Sequence, residues 1–202
     1  MLREFARLHA HICGDGWITE VKKRRSLWDI RRYNRNKKCF IEWQIGYSNR
    51  QPNLLKRFRE YLQSLTKAYV EVRHDEIRVR SKELFRKLQQ LGENNSRKWI
   101  AGNQIFEAPE SIKCEWLRAF FDDEATVERR GRVRIRVKSV NKRGLESVSM
   151  LLKDIGIISK ISGPNSDDTW YLTISDDKSL HIFQSAIGFS HPEKAKKLSN
   201  FH

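Results

Sequence analysis

Cysteine is scarce in this sequence and poorly placed for cross-links. Its three cysteines, Cys13, Cys39 and Cys114, are scattered, odd in number, and form no Cys-x-x-Cys pair. That excludes a disulfide framework and a cysteine-built zinc site, and a reducing, intracellular setting is expected. Long apolar runs are also missing. No stretch reaches the roughly 20 residues that a membrane-spanning helix needs. Glu4, His9 and His11 interrupt any apolar opening, so no signal peptide is expected. Acidic residues are in deficit, 25 against 40 lysines and arginines, for a net charge of +15. A positive excess of that size calls for a polyanionic partner. Nucleic acid is the expected one, because aromatic and β-patterned stretches separate the basic runs. An anionic membrane surface is the competing reading.

What is present is organised around residues 8–16, Leu-His-Ala-His-Ile-Cys-Gly-Asp-Gly. Phe5, Leu8 and Ile12 recur at helical spacing. Ala10 and Gly14, four apart, leave a strip almost without side chains, open to close approach by another backbone. Gly16 is expected in a conformation of positive φ at the helix end. Asp15 then sits where the helix dipole disfavours negative charge, and it needs a compensating partner such as a metal cation. The pattern returns at residues 117–125, Leu-Arg-Ala-Phe-Phe-Asp-Asp-Glu-Ala. Leu8 falls on Leu117, Ala10 on Ala119 and Asp15 on Glu124. Two such helices can pack together and bring their carboxylates to one end of the interface.

This pair of motifs resembles the LAGLIDADG homing endonuclease family, in its single-chain form with two motifs. The likeness extends over nearly the whole chain. Here His9 and His11 stand where the consensus has Ala and Leu, Asp123 where the family has Gly or Ala, and Ala125 where it ends in Gly. The resemblance implies an α+β fold of two αββαββα halves, 1–107 and 108–202, each with an antiparallel DNA-binding sheet. It also implies that Asp15 and Glu124 bind metal at a DNA-cleavage centre. Oxygen ligands suit magnesium, or another divalent ion such as manganese. Asp122 and Asp123 are read as supporting or helix-interface groups. His9 and His11, two apart on a helix, do not share a face and form no joint metal site.

The first half is expected to run as a helix over 3–13 and a hairpin of strands over 17–30 and 39–48 with a basic tip at 31–38. Pro52 then opens a helix carrying Leu54, Leu55, Phe58, Leu62 and Leu65. Short strands follow near 69–73 and 77–80, then a helix over 81–91 capped by Ser81, a further turn or short helix within 93–101, and a link over 102–112. The second half repeats this order. Its helices are expected over 111–124, 142–155 and 176–187, and its strands over 126–139, 157–162 and 169–174, with Gly131 as the turn. Asn49 answers Asn141 at an offset of 92, Leu91-Gly92 answers Ile187-Gly188 at 96, and Asp15 answers Glu124 at 109. The first hairpin is therefore longer by 17 residues.

Residues 132–138, Arg-Val-Arg-Ile-Arg-Val-Lys, alternate strictly. In a strand this puts Arg132, Arg134, Arg136 and Lys138 on one face and three β-branched residues on the other. A ribbon of that kind fits the major groove, where arginine can read guanine. Lys22, Lys23, Arg24 and Arg25, with Arg31, Arg32 and Arg35 at the tip, give the first hairpin the same character. Asn49, Arg50, Asn141 and Lys142 stand at strand-to-helix corners and are further candidates for DNA contact. Lys98 and Lys194 share the 96-residue offset, and the resemblance implies a basic residue near the metal in each half. The function implied is a magnesium-dependent, site-specific double-strand DNA endonuclease. It would be monomeric, with a long, partly palindromic target, and a free-standing intron-encoded protein is favoured. The alternatives are an RNA-binding maturase acting on intron RNA and a DNA-binding regulator without cleavage.

Overall fold

In the computed structural model, residues 2–26, 39–92 and 97–199 are described. Arg31, Arg32 and Arg35 lie outside them. The first helix, α1 (Arg3–Cys13), buries seven of its eleven residues, including both histidines. A helix enclosed on most of its circumference belongs at the centre of a fold. Its main partner is α5 (Glu110–Glu124), the helix of the second motif. Arg7 of α1 pairs with Glu115 of α5 at 2.7 Å. Trp116 Nε1 donates to His9 Nδ1 at 3.0 Å in the buried seam.

Each half hangs an antiparallel sheet on its motif helix. In the first, β1 (Gly16–Arg24) pairs with β2 (Cys39–Ser48). α2 (Pro52–Leu65) follows, then β3 (Val70–Val72), β4 (Glu76–Arg80) and α3 (Lys82–Gln89), which Ser81 caps. The sheet order is β1-β2-β4-β3. A short α4 (Asn103–Phe106) leads into α5. The second half supplies β5 (Ala125–Arg130), β6 (Arg132–Ser139), α6 (Lys142–Asp154), β7 (Lys160–Ser162) and β8 (Trp170–Ile174), ordered β5-β6-β8-β7. It ends with α7 (Asp177–Ile182), a π turn over Phe183–Ile187, and α8 (Pro192–Ser199). This is the expected α+β architecture of two pseudo-symmetric halves. The 93–101 segment gives no helix at its described residues; the short helix lies at 103–106 instead. No described helix is long and apolar enough to cross a membrane.

The helices cover one face of each sheet. Ile45 and Tyr47 pack on Leu54, Phe58 and Leu88 in the first core. Ile135 and Val137 pack on Leu145, Leu152 and Phe183 in the second. Trp99, Ala101 and Ile105, which precede residue 108, belong to the second core, as do Ala6, Ala10 and Cys13 of α1.

Strand register refines the internal repeat. Gly16 pairs with Tyr47 where Ala125 pairs with Val137, an offset of 90 between β2 and β6. The helix caps keep it, Gln51 for α2 and Asn141 for α6. Gln51, not Asn49, is therefore the counterpart of Asn141, and the first hairpin is longer by 19 residues. The offset is 95 at the caps Ser81 and Asp176. It becomes 96 at Gly92 and Gly188 because the π turn adds one residue.

The glycines of the first motif serve close approach. Gly16 has no positive φ; a Cβ there would lie 2.8 Å from the His11 carbonyl oxygen and 3.0 Å from that of Gly46. A Cβ on Gly14 would lie 2.8 Å from both Cβ and Oδ2 of Asp123. Asp123 cannot swing aside, since its carboxylate is fixed by His11 and Tyr47. Gly14→Ala is therefore expected to destabilise the protein by about 1–3 kcal/mol through overpacking. Denaturant unfolding measures this, and an unchanged midpoint would contradict the tight contact.

Candidate metal centre and nucleic-acid interface

Helix α1 ends at Cys13 and Gly14 turns the chain, so Asp15 stands just beyond the helix. Glu124 is the last residue of α5, with β5 starting immediately after it. The paired helices bring these carboxylates to one open cleft of about 640 Å³, shared with Asn49, Arg50, His191 and Lys194. Asp75, Asp122 and Asp123 also border it. A strongly basic chain thus encloses an acidic hollow at the meeting point of its halves.

The carboxylates are differently employed. Asn49 Nδ2 donates to Asp15 Oδ2 at 2.8 Å, which orients that side chain and leaves Oδ1 open. Glu124 accepts no hydrogen bond among the described residues. Asp122 Oδ1 accepts from the backbone N–H groups of Ser190 and His191, tying α5 to the start of α8. Asp123 is buried and spent: His11 Nδ1 lies 2.8 Å from Oδ2, and Tyr47 donates to Oδ1 at 2.6 Å. Asp15 Oδ1 and the Glu124 carboxylate are thus left free at the cleft.

Enclosure by the protein, then the Asp123 charge, raises the Asp15 pKa to about 6. Enclosure, then the charges of Asp15 and Asp123, raises Glu124 to about 7. Two carboxylates that repel each other across an open cleft are held ready for a cation. Both offer hard oxygen, which fits a divalent cation of the magnesium class. Among the described residues no three His, Cys, Asp or Glu side chains converge as a metal cage. The remaining coordination would fall to water and a bound polyanion.

Lys194 comes to this centre from α8. Its Nζ donates to the carbonyls of Phe121, Asp122 and Asp123 at 3.3, 2.5 and 3.1 Å. These carbonyls lie at the C-terminal end of α5, where a cation is favoured. Burial lowers its pKa, against the pull of the surrounding carboxylates. Lys98 is not its structural equal: it is exposed in a turn and does not border the cleft. His191, an isolated histidine in the sequence and expected in a core or surface role, borders it. Its Nδ1 accepts from the Lys194 backbone N–H at 3.4 Å.

The outer sheet faces carry the remaining candidates. Arg132, Arg134, Arg136 and Lys138 do share one face of β6, with Ile135 and Val137 buried behind it. In the first sheet the basic run divides, because alternate strand residues point opposite ways. Lys23 and Arg25 lie on the outer face, and Lys22 and Arg24 on the helix side. Lys23 pairs with Glu42, and the Arg25 guanidinium lies 5.1 Å from the centre of the Phe40 ring. Trp17 also lies on this face, packed over Gly46. Lys142 is exposed, 3.4 Å from Glu146 and 4.7 Å from the centre of the Trp170 ring.

Asn141 is a correction. It is only 3% exposed, accepts from Gly144 N–H at the start of α6, and donates to the Trp99 carbonyl. Its amide is consumed inside the protein and is not available to DNA.

The comparisons with known proteins agree with this fold. Residues 111–188 match a family model described as a LAGLIDADG-like domain. The homing endonuclease I-ApeI of Aeropyrum pernix is 31% identical over 132 residues, covering 61% of this chain and 59% of that protein. The crystal structure of I-DmoI with DNA and calcium superposes with a TM-score of 0.69 at 18% identity, covering 98% of this chain and 97% of that one. The structure with DNA and manganese gives 0.68 at 20% identity, covering 92% and 96%. The match takes in most of the second half. The chain as a whole has the LAGLIDADG architecture in its single-chain, two-motif form.

Two predictions follow from the geometry of the cleft. Asp15 and Glu124 are harder to ionise in the folded protein than in the unfolded chain. The contribution of these two groups to metal-free stability is therefore fully present at low pH and is lost as pH rises from about 4 through about 7. Asp15→Asn and Glu124→Gln are each expected to flatten that fall, and added magnesium to restore stability above it. Thermal unfolding across this window measures both effects; identical curves for the wild type and the two variants would refute the coupling. Asn141→Ala is expected to cost about 1–3 kcal/mol from the lost cap and hydrogen bond, with the salt dependence of DNA binding unchanged. A reduced salt slope would return Asn141 to the interface.

Proposed function

We propose that this chain is a monomeric, site-specific double-strand DNA endonuclease that uses a divalent cation, magnesium in its natural setting. The observation that carries the reading is the convergence of Asp15 and Glu124 on one cleft. They come from pseudo-equivalent helix ends, between two sheets whose outer faces bear exposed cations. A pure binding protein, whether of DNA or of intron RNA, gains nothing from two mutually repelling carboxylates facing the phosphates it must attract. That cost supports cleavage over the maturase and regulator readings. The names of the relatives support it further: one is called a homing endonuclease, and I-DmoI was crystallised with DNA in manganese and in calcium.

In this reading Asp15 and Glu124 hold the cation through their free oxygens, and Asn49 keeps Asp15 turned toward it. A bound divalent cation polarises the scissile phosphate, acidifies a water molecule and neutralises the leaving oxygen. Arg50, exposed at the cleft, is placed to hold a neighbouring phosphate. Lys194 fixes the end of α5, and with it Glu124, while adding positive charge where the pentavalent phosphorus gathers negative charge. Two halves in one chain address two strands, so the target need be only partly palindromic.

The test is cleavage of a plasmid carrying the uninterrupted host-gene sequence. Asp15→Asn and Glu124→Gln are expected to lower double-strand cleavage by at least about a thousandfold, with DNA affinity retained. Chelation of divalent metal should do the same to the wild type. Full cleavage by either variant, or undiminished cleavage under chelation, would overturn the assignment.

A further inference from the structure

The four cations along β6 are alike in sequence and unlike in surroundings. Arg132 and Arg134 are exposed and form no ion pair with a described residue. Lys138 is held by Asp167 at 2.6 Å. Arg136 is enclosed on two sides. Its Nη1 donates to Glu128 Oε1 at 3.0 Å and Oε2 at 3.3 Å, from the neighbouring strand β5. Its guanidinium carbon lies 3.9 Å from the centre of the Tyr171 ring, contributed by β8 on the other side. One corner of the fork is therefore occupied and its plane is set by the ring. Nε and Nη2, the edge able to make two parallel hydrogen bonds, have no partner among the described residues.

Glu128 has a second effect. A carboxylate in contact with a guanidinium cancels most of its charge at the distance of a phosphate, so Arg136 is a poor backbone anchor. What survives is a rigid, planar pair of donors. That is the requirement for reading O6 and N7 of guanine in the major groove. Free guanidinium groups such as those of Arg132 and Arg134 are better suited to phosphate, where contacts position without specifying.

We infer that Arg136, oriented by Glu128 and Tyr171, reads one guanine of the target, while Arg132 and Arg134 anchor the backbone beside it. This rests on the DNA-binding reading above. Glu128 and Tyr171 are positioning residues: they act through Arg136 and set its specificity without adding affinity of their own.

The experiment is selection of bound duplexes from a random-sequence DNA pool by the full-length protein in calcium-containing buffer. The enriched sites are then measured at several salt concentrations. The wild type is expected to enrich a site with one position fixed as a G·C pair. Arg136→Ala and Arg136→Lys should both lose preference at that position alone, by about 5- to 150-fold. Lysine keeps the charge and the fold but not the fork. Glu128→Gln and Tyr171→Leu should relax the same position, and Tyr171→Phe, which keeps the ring, should preserve it. Arg134→Ala should leave the position fixed and reduce the salt slope by about one. Retention of the preference in Arg136→Lys, or its survival in both Glu128→Gln and Tyr171→Leu, would overturn the inference while leaving DNA recognition intact. A wild type that enriches no sequence would overturn both.

Discussion

The close seam between α1 and α5 is the constraint on which the remainder depends. It works because α1 withholds side chains where α5 supplies them. Ala10 and Ala119 are both buried in the shared core. Gly14 leaves the space that the Asp123 carboxylate fills. A carboxylate placed there would be an uncompensated buried charge if His11 and Tyr47 did not meet it from the first half. The seam is thus closed by complementary polar groups inside an apolar frame, which fixes how far each helix runs past the other. Since the two cleft carboxylates sit at or just beyond the helix ends, helix register becomes their separation.

Electrostatically the molecule is divided against itself. Its outer sheet faces are basic, and its midpoint is an acidic hollow that the fold makes hard to ionise. Neither part suits an isolated protein; each suits a complex in which a polyanion lies over both and a cation sits between. The hollow is reinforced from behind. Asp122 receives two N–H groups at the start of α8, and Lys194 from the same helix returns to the end of α5. Helix α8 thus holds the second motif in place.

The sequence made the architecture readable because its signals were periodic or repeated. The alternation from Arg132 to Lys138 is reproduced in the strand, and the two motif copies do pair. Asp15 and Glu124 reach one cleft, where the paired motifs were expected to bring them, and Lys194 borders it too. Reading ran out where the cause was three-dimensional. Asn141 looked like a corner residue free for contact, but the Trp99 carbonyl that buries it comes from a distant segment. The single-residue insertion of the π turn has no compositional sign, so the repeat register could not be counted through it. Lys98 and Lys194 match in a linear count, yet only Lys194 belongs to a helix that folds back over the motif. His191 was missed because its position depends on Asp122, and an isolated histidine in sequence carries no hint of such a partner.

Gly14 and Asp123 occupy the same place in the two motifs, 109 residues apart, and they touch each other. Equivalent positions of the two motifs meet there across the seam. The contact holds a socket and a plug. Two first motifs brought together would leave a void there, and two second motifs would force a pair of carboxylates into one space. Neither half can stand in for the other, so this one contact commits each first motif to a second and gives their union a direction.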